Sequence, residues 1–231
     1  MISIAMRVID LGRLAYRPAW EQQERVHAEV LAGATPAVLL VEHDPVITMG
    51  RRGETMGVSN LRATADLLAR RGVEFVQTDR GGDITFHGPG QLVAYPIVKL
   101  NDQRLSVGGF VRALQEAVIA AVANFGVAAT TDPAGVGVWA PLRPGGATPT
   151  GDDDKLGKLC ALGVRVKRGV TMHGLALNVT TDLSYFDLIV PCGIADRPVT
   201  SLHQLLGTRC PTMTVVKAAL VEALRKRLIS G

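Results

Sequence analysis

The hydrophobic residues of this chain recur with a helical period in four segments. Residues 18–32, 60–72, 106–126 and 214–229 each carry apolar side chains three or four positions apart. That spacing places the apolar side chains on one face of an α-helix, where they can pack against a core. The pattern therefore predicts four amphipathic helices, of which 106–126 is the longest.

Three of these predicted helices have signals for their ends, and the first is stopped by Gly33. In the second helix, Leu61, Ala65 and Leu68 are expected to face inward. Gly72 is expected to close that helix as a C-cap, because glycine tolerates the left-handed conformation found there. Thr214 is the candidate N-cap of the last helix, since its hydroxyl can accept a hydrogen bond from a free backbone N–H.

Short runs with strand character separate the helices. Residues 158–169 and 172–180 alternate like two neighbouring strands, with a turn near residues 167–169. These patterns predict an α/β (α+β) fold in which helices pack on sheets of mostly antiparallel strands. The other runs with strand character are residues 1–14, 37–43, 73–78 and 91–98.

The composition is that of a globular protein and favours neither a membrane nor a nucleic acid as partner. Hydrophobic residues make up 47% of the 231 residues, alongside 25 glycines and 12 prolines. The chain contains no long uninterrupted apolar stretch, and its N-terminus lacks the layout of a signal peptide. Aromatic residues are only 4%, which argues against a base-stacking surface, although the net charge is +4.

The three cysteines are widely spaced and form no CxxC motif, so a disulfide framework is not expected. A reducing, cytoplasmic compartment follows from this usage. We find no internal repeat and no interdomain linker, and we predict a single domain over residues 1–231. The Pro/Gly/Thr-rich and then acidic stretch RPGGATPTGDDDK, residues 143–155, is expected to be an exposed, mobile loop.

The most unusual segment is RGGDITFHGPGQLVAYP, residues 80–96. Its glycines allow the backbone to approach a ligand closely and to offer N–H groups to an oxygen atom. Arg80 and His87 are the polar groups at either end of the strand-like part. A glycine-rich hairpin with a structural histidine is the simpler interpretation of the composition alone. The segment matches neither GxGxxG after a strand nor the P-loop motif.

Two further residues could carry chemistry. Cys192 lies in VPCG, where Pro191 fixes the approach of the chain and Gly193 leaves the sulfur uncrowded. A thiolate there could attack a carbonyl group, and Lys158 in GKLCALG could stabilise such a thiolate. Taken singly, a lone cysteine is more often an inert buried residue, which is how we interpret Cys160 and Cys210. The histidines lack metal-site spacing.

The segments RGGDITFHGPGQLVAYP, GKLCALGVRV, MHGLALNV and VPCG follow one another in an order and spacing that resemble the lipoyl(octanoyl)transferases. The resemblance extends over nearly the whole chain. It implies a fold like the catalytic domain of biotin and lipoate protein ligases, with a large and a small sheet. The loop at 143–155 is longer than is usual in the family, but GKLCALG continues in register after it.

The family's functional residues carry over by motif. The resemblance implies that Cys192 holds the acyl group as a thioester and that Lys158 stabilises its thiolate. It implies no metal or other cofactor. The segments that shape the acyl pocket correspond here to Arg80, Gly81, Gly82, Asp83, Ile84, Thr85, Phe86, His87, Ala161, Leu162, Gly163, Gly174, Leu175 and Ala176.

The implied reaction moves an octanoyl group from octanoyl-acyl carrier protein to a lysine amine. The implied acceptors are the lipoyl domains of 2-oxoacid dehydrogenases and the glycine-cleavage H protein. Three alternatives stand beside this reaction. An ATP-dependent lipoate ligase would need no nucleophilic cysteine, a binding module would need no catalysis, and a cysteine hydrolase would pass the acyl group to water.

Overall fold

A computed structural model describes residues 6–56, 60–133, 135–142, 155–190 and 198–229. Ten strands lie within these ranges, and β9 and β10 are the longest of them. In chain order they are β1 (Arg7–Leu14), β2 (Ala37–His43), β3 (Val46–Met49), β4 (Glu74–Gln77), β5 (Ile84–His87), β6 (Gln91–Ile97), β7 (Thr130–Asp132), β8 (Gly135–Pro141), β9 (Leu156–Lys167) and β10 (Val170–Asn178).

The helices of the same ranges connect these strands. They are α1 (Tyr16–Leu31), α2 (Arg51–Met56), α3 (Ala65–Arg70), α4 (Val107–Ala123), α5 (Leu202–Leu206) and α6 (Met213–Leu228). Short 3₁₀ helices occupy Asn101–Gln103, Leu183–Leu188 and Gly207–Arg209. None of the helices in the described ranges is both long and apolar enough to cross a bilayer.

The strands form a large sheet and a small sheet. The large sheet has the order β1-β2-β6-β10-β9-β8-β7, and the small sheet has the order β4-β3-β5. Only the pairs β1–β2 and β3–β4 are parallel, and the remaining described pairs are antiparallel. The predicted α/β fold with mostly antiparallel strands is therefore confirmed. The predicted hairpin of β9 and β10 is also present, with its turn after Lys167.

Helices cover both faces of the large sheet. On one face α1 packs through Ala19, Val26 and Val30 against β2 and β6. On the other face α4 and α6 pack against each other and the sheet through a larger apolar cluster. Fully burying a valine or leucine side chain of these helices stabilises the fold by roughly 1.5–3 kcal/mol, which favours the helical arrangement of the apolar residues in 18–32, 106–126 and 214–229.

The second predicted helix begins later than the sequence pattern suggested. Thr64 adopts an extended conformation and its hydroxyl accepts a hydrogen bond from the Leu67 amide, so Thr64 is the N-cap of α3. Leu61 instead forms an antiparallel bridge with Ile189. Leu68 is buried as predicted, but Ala65 is exposed. The inward orientation assigned to Ala65 is therefore wrong, because the helix starts at that residue.

Helix termini differ from the predictions in two further places. Gly72 has φ +63°, but the C-cap of α3 is Arg71. The N-cap of α6 is Thr212, whose side chain makes no capping hydrogen bond, and Thr214 lies within the helix. Of the loop predicted at 143–155, residues 143–154 lie outside the described residues.

Candidate acyl-binding site

A pocket lies between the face of the large sheet that carries α1 and the edge of the small sheet. It encloses about 750 Å³, including its opening to solvent. Strand β5 of the small sheet and strands β6, β8, β9 and β10 of the large sheet contribute residues to its wall, together with Tyr16 at the start of α1. Three parts of the chain that are far apart in the sequence, at residue 16, residues 80–95 and residues 158–178, therefore meet at one cavity.

The glycine-rich segment enters this pocket through Arg80, which is only 7% exposed. Its guanidinium group donates hydrogen bonds to the Thr48 carbonyl at 2.7 Å and to the Thr48 hydroxyl at 2.9 Å. A third bond reaches the Gly81 carbonyl at 3.1 Å. A buried cation needs such partners to offset its lost hydration, so Arg80 is locked in one orientation against β3.

Glycines let this segment lie directly on β9. The Gly81 amide donates to the Val164 carbonyl at 2.9 Å. A Cβ atom placed on Gly163 would lie 2.7 Å from the Gly81 carbonyl oxygen, which is closer than real Cβ contacts allow. Gly82 has φ +93°, a conformation that disfavours other residues. The close approach therefore depends on glycine in both segments.

Not every residue predicted to shape the pocket lines it. Gly81 and Phe86 do not, whereas the other twelve predicted residues do. The Phe86 ring stacks on Tyr185 with centroids 4.7 Å apart and belongs to the core beneath the small sheet. Its neighbours Thr85 and His87 on β5 line the pocket, whereas the Phe86 side chain is 1% exposed and packs within that core.

The two motifs on β9 and β10 are brought side by side by the hairpin. Gly163 pairs with Gly174, Leu162 with Leu175, and Ala161 with Ala176. All six residues line the pocket. This register places two separate sequence motifs on one wall, and its small and apolar side chains suit a hydrocarbon ligand.

Lys158 lines the same pocket from β9 and is 7% exposed. Its ammonium group lies 4.8 Å from the centroid of the Trp139 ring, within the range of a cation–π contact. Its backbone is held on both sides, since the Lys158 amide donates to the Pro198 carbonyl at 2.9 Å and the Thr200 amide donates to the Lys158 carbonyl at 3.0 Å.

Cys192, the predicted acyl carrier, lies outside the described residues, which resume at residue 198. The other two cysteines are described. Cys160 is fully buried in the core, and this burial raises the pKa of its thiol to about 12. Burial also raises the pKa of the Cys210 thiol. Both are therefore protonated thiols at neutral pH, which makes them poor nucleophiles.

The structure adds polar residues to the pocket region that sequence reasoning did not single out. His43, at the end of β2, donates from Nδ1 to the Leu14 carbonyl at 3.0 Å and accepts from the Tyr95 hydroxyl at 2.7 Å. Burial lowers the pKa of His43 to about 4 and raises that of Tyr95 well above its usual value. The sequence signal available was a histidine closing an otherwise apolar strand.

His173 is a second such residue and has a left-handed backbone, with φ +56°. Its amide donates to the Gln23 side-chain oxygen at 2.9 Å, and its Nε2 donates to Asp79 at 2.8 Å. Asp79 is also paired with Arg165. Burial, followed by the charges of Arg80 and Arg165, lowers the pKa of His173 to about 3, so the ring is neutral.

Within the described ranges, no three His, Cys, Asp or Glu side chains come together as a metal site. The pocket thus combines an apolar wall, a fixed arginine and a buried lysine. Such a site can hold an acyl chain and keep a positive charge near a developing anion.

Comparison with known proteins assigns this architecture to a family. Residues 15–225 match the lipoyl protein ligase A/B catalytic domain. An octanoyltransferase from Chloroflexus aggregans is 45% identical, over 95% of this chain and 93% of its own. Another from Solibacter usitatus is 46% identical, over 85% of this chain and 81% of its own.

A solved structure of lipoate-protein ligase A bound with ATP has the same fold. It superposes with a TM-score of 0.73 at 16% identity, covering 96% of this chain and 85% of the other. Its low identity limits this likeness to the fold. The match to the domain family and the identity to the octanoyltransferases show the family as well as the fold. The chain therefore belongs to the lipoyl protein ligase A/B catalytic domain family, among its octanoyltransferases.

Proposed function

We propose that this chain transfers an octanoyl group from octanoyl-acyl carrier protein to a lysine amine of a lipoyl domain, through a thioester on Cys192. The observation that carries the proposal is the pocket in which buried Lys158 shares a wall with Ala161–Gly163 and Gly174–Ala176. An apolar chain can lie along that wall, and its reacting end then meets a fixed positive charge.

In the first half-reaction the Cys192 thiolate attacks the carbonyl carbon of the donor thioester. The carbon–sulfur bond to the carrier breaks, and the carrier leaves as a thiolate that takes up a proton from the Lys158 ammonium group, which leaves Lys158 uncharged. The Lys158 ammonium group stabilises the attacking thiolate, because opposite charges attract strongly where water is excluded. The octanoyl group is then held on Cys192, and no net oxidation or hydrolysis has occurred.

In the second half-reaction the acceptor lysine attacks the Cys192 thioester in its uncharged form. An amide bond forms, the carbon–sulfur bond breaks and Cys192 departs as a thiolate. The proton released by the amine passes to Lys158 once that residue is uncharged, which restores the starting pair. Conversion of a thioester into an amide is downhill, so this route needs no ATP.

Several features support the partners in this proposal. The acceptors would be lipoyl domains of 2-oxoacid dehydrogenases and the glycine-cleavage H protein, and the net charge of +4 suits acidic carrier and lipoyl domains. The odd number of widely spaced cysteines favours a cytoplasmic location. The ligases on this fold suggest one competing route, in which ATP activates a free acid first.

Transfer without ATP tests the proposal against that route. The protein is incubated with octanoyl-acyl carrier protein and an unmodified lipoyl domain, with ATP left out, and the lipoyl domain is weighed by mass spectrometry. We expect it to gain one octanoyl group on lysine. Modification that appears only when ATP and free octanoate replace the carrier would overturn the proposal and favour a ligase.

A further inference from the structure

A buried chain of hydrogen bonds links the glycine-rich segment to the backbone of Lys158. The Nδ1 atom of His87 lies 2.7 Å from Gln91 Oε1. Gln91 Nε2 donates to Asn178 Oδ1 at 2.9 Å, and Asn178 Nδ2 donates to the Thr200 carbonyl at 2.9 Å. The Thr200 amide then donates to the Lys158 carbonyl at 3.0 Å.

The backbone at either end fixes the direction of every bond in this chain. Gln91 Nε2 also donates to the Phe86 carbonyl at 3.2 Å, so Oε1 faces His87 and accepts from its Nδ1–H. The Thr200 carbonyl likewise fixes the Asn178 amide. Burial, followed by the electrostatic effects of His43 and Arg80, keeps the pKa of His87 well below its usual value.

The two amides at the centre of the chain are buried and directly opposite each other. Gln91 is 1% exposed and Asn178 is 3% exposed, and they form a register pair between β6 and β10. Both line the pocket together with Lys158. A buried amide that loses a hydrogen-bond partner is left with an unsatisfied polar group, so each bond of this chain favours the observed positions of its neighbours.

At its far end, this series of hydrogen bonds holds the backbone of Lys158 in register with residues 198–200. Lys158 forms a parallel bridge with Val199. The bridge lies between two backbone hydrogen bonds, one from the Lys158 amide to the Pro198 carbonyl and one from the Thr200 amide to the Lys158 carbonyl. In the sequence, residues 198–200 begin six positions after Cys192. A displacement of Thr200 would therefore shift residues 198–200 relative to Lys158.

We propose that Gln91 and Asn178 are positioning residues that hold Lys158 in register with residues 198–200, and thereby fix the ammonium group that the proposed mechanism assigns to the Cys192 thiolate. They act through Lys158 and need not touch the substrate. The inference rests on the Cys192–Lys158 pair of the proposed function, but it does not depend on which acyl donor or acceptor is used.

Alkylation of Cys192 by iodoacetamide tests this without any acyl donor. The rate is followed across a pH series by mass spectrometry of the Cys192 peptide. Asn178→Ser removes the bond to Thr200, and we expect a roughly tenfold slower rate at neutral pH that returns to the wild-type rate in alkali. Gln91→Met leaves the Asn178–Thr200 bond in place, so the decrease in the alkylation rate of Cys192 should be smaller. Neither substitution replaces a residue predicted to bind the substrate, such as Arg80, Asp83 or His87.

Thr171→Val is the matched control. Thr171 is fully buried on the same strand, donates to the Pro96 carbonyl at 2.8 Å and accepts from the Val98 amide at 2.9 Å, but does not line the pocket. It should lower the Tm and leave the pH profile of Cys192 unchanged.

Two outcomes would overturn the inference. One is an unchanged pH profile in Asn178→Ser, and the other is an equal shift in Thr171→Val. Should Asn178→Ser not fold, an unchanged profile in folded Gln91→Met has the same weight. A shifted profile in a protein whose Cys192 accepts no octanoyl group would support the positioning role and count against the proposed function alone.

Discussion

At the scale of single residues, Lys158 is the group on which the account depends most. Its ammonium group lies 4.8 Å from the Trp139 ring, and its side chain is withdrawn from solvent. A charge in such surroundings stabilises a nearby thiolate more than an exposed charge does. Lys158→Met keeps the length and the packing on Trp139 but removes the charge. We expect alkylation of Cys192 to slow roughly 10- to 100-fold at neutral pH and to recover in alkali.

Lys155→Met provides the control for that substitution. Lys155 is exposed just before β9, and its carbonyl accepts from the Leu142 amide, a backbone bond that the substitution retains. It should leave the alkylation profile as in the wild type. Equal rates for Lys158→Met and wild type at neutral pH would remove Lys158 from the proposed mechanism.

At the scale of elements, the contact between the glycine-rich segment and β9 holds the pocket together. A methyl group on Gly163 would lie 2.7 Å from the Gly81 carbonyl oxygen, and this neighbour is backbone. Gly163→Ala should therefore push residues 80–82 off β9. The clash should lower the Tm, because overpacking a core costs about 1–3 kcal/mol. The displaced pocket wall should reduce octanoyl transfer at least tenfold. Thermal unfolding and the transfer assay measure the two effects.

Gly108→Ala is the corresponding control on a helix. Gly108 lies in α4 with no atom within 4 Å of the added methyl group. Alanine is the better helix former by about 0.5–1 kcal/mol, so the Tm should stay level or rise with full transfer activity. Gly163→Ala with the stability and activity of Gly108→Ala would contradict the proposed contact.

The strands around the pocket illustrate which features could be predicted from the sequence alone. Alternation identified the β9–β10 hairpin, and the motif resemblance identified the segments that line one wall of the pocket. The partners Gln91 and Asn178 were not identified, because they are 87 positions apart and meet only through the sheet register. The role of Cys192 stays a prediction.

At the scale of the whole molecule, buried neutral histidines make stability depend on pH. The folded-state pKa values of His43 and His173 are about 4 and about 3, below the ordinary 6.5 of an unfolded chain. Between these values the unfolded state binds more protons, so acidification favours unfolding. We expect the contribution of these histidines to the Tm to be constant above pH 6.5 and to decline as the pH falls toward 4.

His43→Gln tests this origin of the pH dependence. Glutamine can still donate to the Leu14 carbonyl and accept from Tyr95, but it does not titrate. Its Tm should fall less steeply over the same acid range than that of the wild type, as followed by thermal unfolding in a buffer series. Parallel curves for the two proteins would show that His43 contributes nothing to the acid sensitivity.

The intact mass of the protein after incubation with octanoyl-acyl carrier protein shows whether Cys192 carries the acyl group. It is measured for the wild type and for Cys192→Ser. We predict one octanoyl adduct in the wild type only, released by hydroxylamine and discharged by an unmodified lipoyl domain. An adduct of equal yield in Cys192→Ser, or full transfer to the lipoyl domain by that variant, would contradict the account.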